Sequence, residues 1–180
     1  GLEVAADTVR RMAEALGVGV LPADVLAGLL CGPLHAQRLW QLTHSALPWL
    51  MLQGRCFQIA LAAQQPQLFR HFMGEGMAPE LFYIRWLQGL FSECLSGKEL
   101  LRLWDMFIFE RSHKVFIRVA LAVFSLLEQK LRGDVEQIMN VLFDVKAWNL
   151  EPGAVMSRAL EMKVTRSQLK EAEEGLLMGE

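Results

Sequence analysis

Apolar residues along this chain return every third or fourth position and almost never alternate with polar ones, which predicts helices throughout and no sustained strand. β-branched residues are sparse, in keeping with that reading. Glycine and proline divide the pattern into roughly ten segments of ordinary helical length. VAADTVRRMAEAL (Val4–Leu16) closes on Gly17 and Gly19. PADVLAGLLC opens with Pro22, suited to a first helical turn, and stops at Gly32-Pro33. LHAQRLWQLTHSA (Leu34–Ala46) halts before Leu47-Pro48, WLMLQGRCFQIALAAQQ (Trp49–Gln65) before Pro66, and QLFRHFM (Gln67–Met73) on Gly74 and Gly76.

The second half is punctuated more sharply. Pro79 opens PELFYIRWLQGLFSECL (Pro79–Leu95), predicted as one helix because Ile84, Leu87, Phe91 and Cys94 recur at helical spacing. Ser96-Gly-Lys-Glu99 reads as a capping box, hydroxyl and carboxylate each satisfying the other's backbone donor, at the head of ELLRLWDMFIFER. HKVFIRVALAVFSLLEQKL (His113–Leu131) is apolar on nearly every side until Glu128, the mark of a helix at the centre of a bundle. DVEQIMNVLFDV and PGAVMSRALEM follow, and Thr165-Arg-Ser-Gln168 forms a second capping box before SQLKEAEEGLL. With no internal repeat, low-complexity tract or long linker, the expectation is one all-α unit.

In the largely apolar stretch from Glu99 to Phe124, Arg102, Asp105 and Arg118 stand among apolar positions. An unpaired guanidinium on a buried helix is prohibitively costly, so Arg118 must reach the surface or meet an acid. Asp105 lies on the preceding helix across the short connection ERSH, which allows an antiparallel pair and an Asp105–Arg118 bridge holding the two in register. Alternatively Asp105 pairs superficially with Arg102, three residues away.

Composition narrows the function classes. Lys and Arg number 18 against 20 Asp and Glu, a formal net charge of -2, and no basic run tracks phosphates, so no nucleic-acid partner is expected. Cys31, Cys56 and Cys94 include no CxxC pair and suit buried apolar positions in a reducing compartment. The longest apolar run, Val115–Leu127, is too short to span a bilayer and holds Arg118, so no transmembrane segment is expected. The chain opens at Gly1 rather than Met, without a signal-peptide pattern, as expected of a processed chain or a piece of a longer one. Hydrophobic residues make up 53% and mean hydropathy is +0.25, oily enough to expect an apolar face that belongs against a neighbour.

Candidate chemistry is thin. His35, His44, His71 and His113 have no ligand spacing, so no metal is expected. GxGxxG, GxxxxGK[ST] and GxSxG are all absent, so no cofactor and no enzyme active site of the chain's own are expected. The Met residues lie on separate segments, as core filling does.

Four segments in order, PQLFRHF (Pro66–Phe72), WLQGLF (Trp86–Phe91), RLWDMF (Arg102–Phe107) and FIRVALAVF (Phe116–Phe124), resemble the C-terminal half of a TBC domain, the catalytic domain of Rab GTPase-activating proteins. The tail ALEMKVTRSQLKEAEE is similar to the family's closing segment, while ERSHKVF lacks the glycine usual after the acidic residue. The resemblance implies a multi-helix orthogonal bundle, with 66–180 as the C-terminal lobe and 1–65 a divergent helical part. It also implies a GTP-bound Rab-family GTPase as partner, a missing N-terminal lobe or other protein surface, and a cytoplasmic place on endomembranes in vesicle trafficking. Trp86, Phe91, Arg102, Trp104, Asp105 and Arg118 are then architectural. The family's chemistry sits upstream, in an arginine from I-x-x-D-x-x-R and a glutamine from Y-x-Q. Val4-Ala-Ala-Asp7-Thr-Val-Arg10 has the first spacing, and Met51-Leu-Gln53-Gly54 suggests the second without its tyrosine and too near Trp86. Arg10 is therefore expected on a solvated helix face and Gln53 to be incidental. The chain would lack both catalytic groups, either as part of an activator or as a non-catalytic TBC-like module that binds a GTPase or a scaffold partner.

Overall fold

The computed structural model describes residues 47–178 except Ser96 and Arg111. The helices expected at 4–16, 22–31 and 34–46, with Arg10 and Cys31, lie outside the described residues. Within them the chain forms α1 (Leu47–Gln64), α2 (Pro66–Gly74), α3 (Pro79–Gln88), α4 (Gly97–Glu110), α5 (Lys114–Leu126), α6 (Val135–Phe143), α7 (Ala154–Glu161) and α8 (Arg166–Met178). Two 3-10 turns, Lys130–Arg132 and Val145–Trp148, flank α6, and no strand occurs among the described residues.

α5 is the axis of the fold. Val115, Phe116, Ile117 and every residue from Val119 to Phe124 are fully enclosed. α1, α3, α4 and α7 pack around it. Each such Val, Leu, Ile or Phe contributes roughly 1.5–3 kcal/mol relative to exposure, so α5 is held by its neighbours and not by helix propensity. Phe124 gathers three helices, α1, α2 and α3. Phe57 of α1 meets it edge-on at 5.3 Å, Phe72 of α2 lies 5.6 Å away, and Trp86 of α3 meets it edge-on at 5.8 Å.

α1 reaches α3 at Gly54, where an added Cβ would stand 2.9 Å from Ile84 Cδ1 and 3.5 Å from Glu80 Cβ. One turn on, Phe57 stacks on Tyr83 at 4.9 Å. Two glutamines tie down the end of α1. Gln64 donates to the Lys163 carbonyl (2.9 Å) and accepts from its N–H (3.2 Å), while Gln65 donates to the Leu121 carbonyl (2.9 Å) on α5.

The helix predicted to run from Pro79 to Leu95 stops instead at Gln88. Leu90 and Phe91 follow Gly89 in the left-handed region, with φ of 49° and 63°. The Phe91 N–H bonds the Trp86 carbonyl (2.7 Å) and that of Leu90 the Leu87 carbonyl (2.9 Å), satisfying the helix's last acceptors. Left-handed backbone costs a non-glycine residue on the order of 1 kcal/mol. Burial offsets it: Leu90 and Phe91 are both enclosed, and the Phe91 ring stacks on Phe116 at 5.9 Å. The helical recurrence of Phe91 and Cys94 thus reports burial in a turn.

Of the two capping boxes, the second forms as expected. The Gln168 N–H donates to Thr165 Oγ1 (3.3 Å) and the Thr165 N–H to Gln168 Oε1 (2.9 Å). In the first, Ser96 lies outside the described residues, and Glu99 Oε1 accepts from the Gly153 N–H (3.2 Å), joining the start of α4 to the start of α7.

These contacts yield two expected outcomes by urea titration. Gly54→Leu costs about 1–3 kcal/mol by forcing α1 from α3, whereas Gly54→Ala stays within about 1 kcal/mol of the parent, because its methyl meets only the movable tip of Ile84 and helix propensity improves. The Tyr83 hydroxyl is buried without a hydrogen-bond partner, so Tyr83→Phe stabilises the chain by about 1 kcal/mol. Burial, with Cys56 adding to it, pushes the Tyr83 phenol well above its ordinary 10.0. Burial likewise pushes the Cys94 thiol well above 9.0. The unfolded chain releases these protons first, so their contribution is whole below pH 9.0 and falls as pH rises through 10.0, less steeply in Tyr83→Phe.

Candidate functional site

The four family-like segments contribute to one core. α2 buries Leu68 and Phe72, and α3 buries Trp86, whose ring meets Phe91, Phe124 and Trp148 at 6.2, 5.8 and 5.7 Å. α4 buries Trp104 edge-on to Phe107 (5.8 Å) and Phe116 (6.3 Å). Trp148 is further anchored by its indole N–H on the Val141 carbonyl (2.7 Å). Both tryptophans of the motifs point inward, 3% and 7% exposed.

The charges are placed differently from the expected bridge. Arg118 pairs through Nη2 with Glu110 Oε1 at 2.5 Å, not with Asp105. Burying Trp104 and Phe107 against α5 turns the intervening Asp105 outward, where it is exposed. Glu110 ends α4, and the connection to α5 returns the chain so that Arg118, about one turn into α5, comes beside it. The guanidinium escapes along that edge with 16% of its side chain exposed, against 33% for Glu110. Arg102 and Asp105 are both exposed and form no ion pair with each other. Glu110 was the partner missed in sequence. The signal was an acid at the helix end eight residues before Arg118, which outward-turning Asp105 could not match.

Gln53 lies on α1, next to the close approach at Gly54. It is 6% exposed, and its Oε1 is enclosed with no hydrogen-bond partner. The outer side of the same α1–α3 contact is a shallow groove of about 240 Å³, lined by Met51, Leu81 and Ile84 together with Arg55 and Glu80. Arg55 is engaged by Gln58 at 2.9 Å. The groove offers an apolar slot and charged edges, with no nucleophile or proton-transfer pair. Among the described residues, no group of three His, Cys, Asp or Glu side chains converges as a metal site, and no helix is long and apolar enough to cross a membrane. Cys56 and Cys94 are free and buried.

Residues 25–132, more than half of the 180-residue chain, match the Rab-GTPase-TBC domain family. Carabin from Mus musculus is 33% identical over 88 residues, covering 49% of this chain and 19% of that protein. TBC1 domain family member 10B from Homo sapiens is 33% identical over 94 residues, 52% of this chain and 11% of that protein. TBC1 domain family member 14 from Homo sapiens is 31% identical over 75 residues, 42% of this chain and 11% of that protein. The chain therefore spans about a fifth or less of the length of these curated relatives. The matched range runs from upstream of α1 to the turn after α5 and includes the whole α4–α5 hairpin.

That hairpin gives a direct contrast between the two acids. Glu110→Ala leaves a mostly enclosed guanidinium without its carboxylate and is expected to cost about 1–3 kcal/mol, while Asp105→Ala stays within about 0.5 kcal/mol of the parent. Guanidinium titration of both variants measures the difference, and equal losses would contradict the assignment.

Proposed function

The chain belongs to the Rab-GTPase-TBC domain family, and from that premise we propose that it forms the C-terminal helical lobe of a GTPase-activating module for Rab-family small GTPases. The observation that carries this is the convergence of the four family-like segments on Phe116 and Phe124 in one core. Such a lobe supplies shape: it holds the surface against which a GTP-loaded partner and a catalytic lobe are set. The hydrolytic chemistry needs an arginine that neutralises charge on the transferring phosphoryl group, a contribution of ~10³–10⁵ in rate, and a glutamine that orients the attacking water. Gln53 is enclosed and Arg10 lies outside the described residues, and in this reading both groups come from elsewhere in the whole protein. Through its GTPase partner the protein works at the cytoplasmic face of endomembranes, in vesicle trafficking.

The enclosure of Gln53 also favours a second reading, a TBC-like module that binds a small GTPase or scaffold and leaves its hydrolysis rate alone. Single-turnover phosphate release from a panel of GTP-loaded Rab proteins separates the two. The 180-residue chain by itself is expected to accelerate release less than about twofold, and the full-length protein by ~10³-fold or more for at least one Rab. Full-length protein that binds a GTP-loaded Rab without acceleration supports the binding module. Strong acceleration by the isolated chain, lost in Arg10→Ala or Gln53→Ala, would overturn both.

A further inference from the structure

Helix α4 has a second apolar face, turned away from the core. Leu101, Ile108 and Phe109 are 50%, 42% and 89% exposed, while Leu100, Leu103, Trp104 and Phe107 on the other side are buried. At 3.6 residues per turn, Leu101, Asp105 and Ile108 fall along one line, with Lys98, Arg102 and Phe109 on its flank. Arg102 and Asp105 are of opposite charge and make no ion pair among the described residues. Beside the first turn of α4 opens a hollow of about 420 Å³ walled by Lys98, Leu101, Arg102, Pro152 and Gly153.

We propose that this face is a self-association surface on which a second copy of the chain docks, α4 against α4 and antiparallel. A two-fold axis crossing α4 midway between Arg102 and Asp105 sets each Arg102 opposite Asp105 of the other copy, giving two bridges from one symmetric contact. The same axis brings Leu101 within about one helical turn of Ile108 of the other copy, and Phe109 level with the opposing Lys98, at the mouth of the hollow. The face is thus complementary to itself in charge and in shape: a protruding ring at one end, a recess at the other. A net charge of -2 opposes the approach of two copies only weakly. A one-helix contact is smaller than the standard interface of ~1,600 Å², which places the dimer in the micromolar range.

Sedimentation of the 180-residue chain between ~5 and ~200 μM tests this. The mass is expected to rise from 20.4 kDa toward twice that value with concentration. Arg102→Asp and Asp105→Arg are each expected to remain monomeric, because each opposes like charges at both bridges. Their equimolar mixture is expected to dimerise, because every Asp then meets an Arg. Phe109→Ser is expected to be monomeric, with circular dichroism confirming that each variant is folded. A parent chain monomeric throughout would overturn the proposal, as when residues 1–46 or another protein cover this face. So would a dimer that survives Phe109→Ser and Arg102→Asp, or charge variants that stay monomeric on mixing.

Discussion

Helix α5 has almost no polar side to give to water, and the remaining helices are arranged by that constraint. Its backbone satisfies its own hydrogen bonds, but its side chains from Val115 to Phe124 must be covered on every side except at Arg118. Among the described residues α1, α3, α4 and α7 pack along it, and Phe72 of α2 reaches its far end. α1, α3 and α4 bring large aromatics, Phe57, Trp86 and Trp104, with a close backbone approach at Gly54 where α1 meets α3, and α7 buries Val155, Met156 and Ala159. The Arg118 guanidinium is accommodated at the edge of α5, where Glu110 closes the hairpin.

Covering a rod of this kind has local costs, and the structure keeps them in the interior. Leu90 and Phe91 take left-handed backbone so that the α3–α4 connection can fold its side chains inward. Tyr83 and Gln53 leave polar atoms unpaired in the core. These costs are each of order 1–3 kcal/mol and small beside the summed burial they permit. What these helices turn outward is a surface held on a rigid aromatic core.

Most of the helical layout was legible in the sequence because it depends on periodicity and on strong punctuation, as at Pro66, Pro79 and the Thr165–Gln168 box. The burial of Trp86 and Trp104 was legible for the same reason. What was not legible depends on direction at single positions. Apolar spacing extends through Leu95, and only the backbone at Leu90 reveals that the chain has left the helix. Asp105 and Glu110 are both acids before the turn, and which of them meets Arg118 is decided by the face each occupies once Trp104 and Phe107 are buried. The Val145–Trp148 turn, with Trp148 against Trp86, carries no periodic signal at all. Of the two site candidates, Gln53 is placed in the interior of α1 and Arg10 lies outside the described residues.

Native-state hydrogen exchange on the full chain addresses the central claim, that one core organised on α5 holds these helices together. Amides from Ile117 to Phe124 are expected to exchange only through global unfolding, with free energies equal to that from denaturant titration, and core amides of α1 and α3 are expected to join them. Exchange of α5 amides well below the global free energy, or independently of α1 and α3, would contradict it.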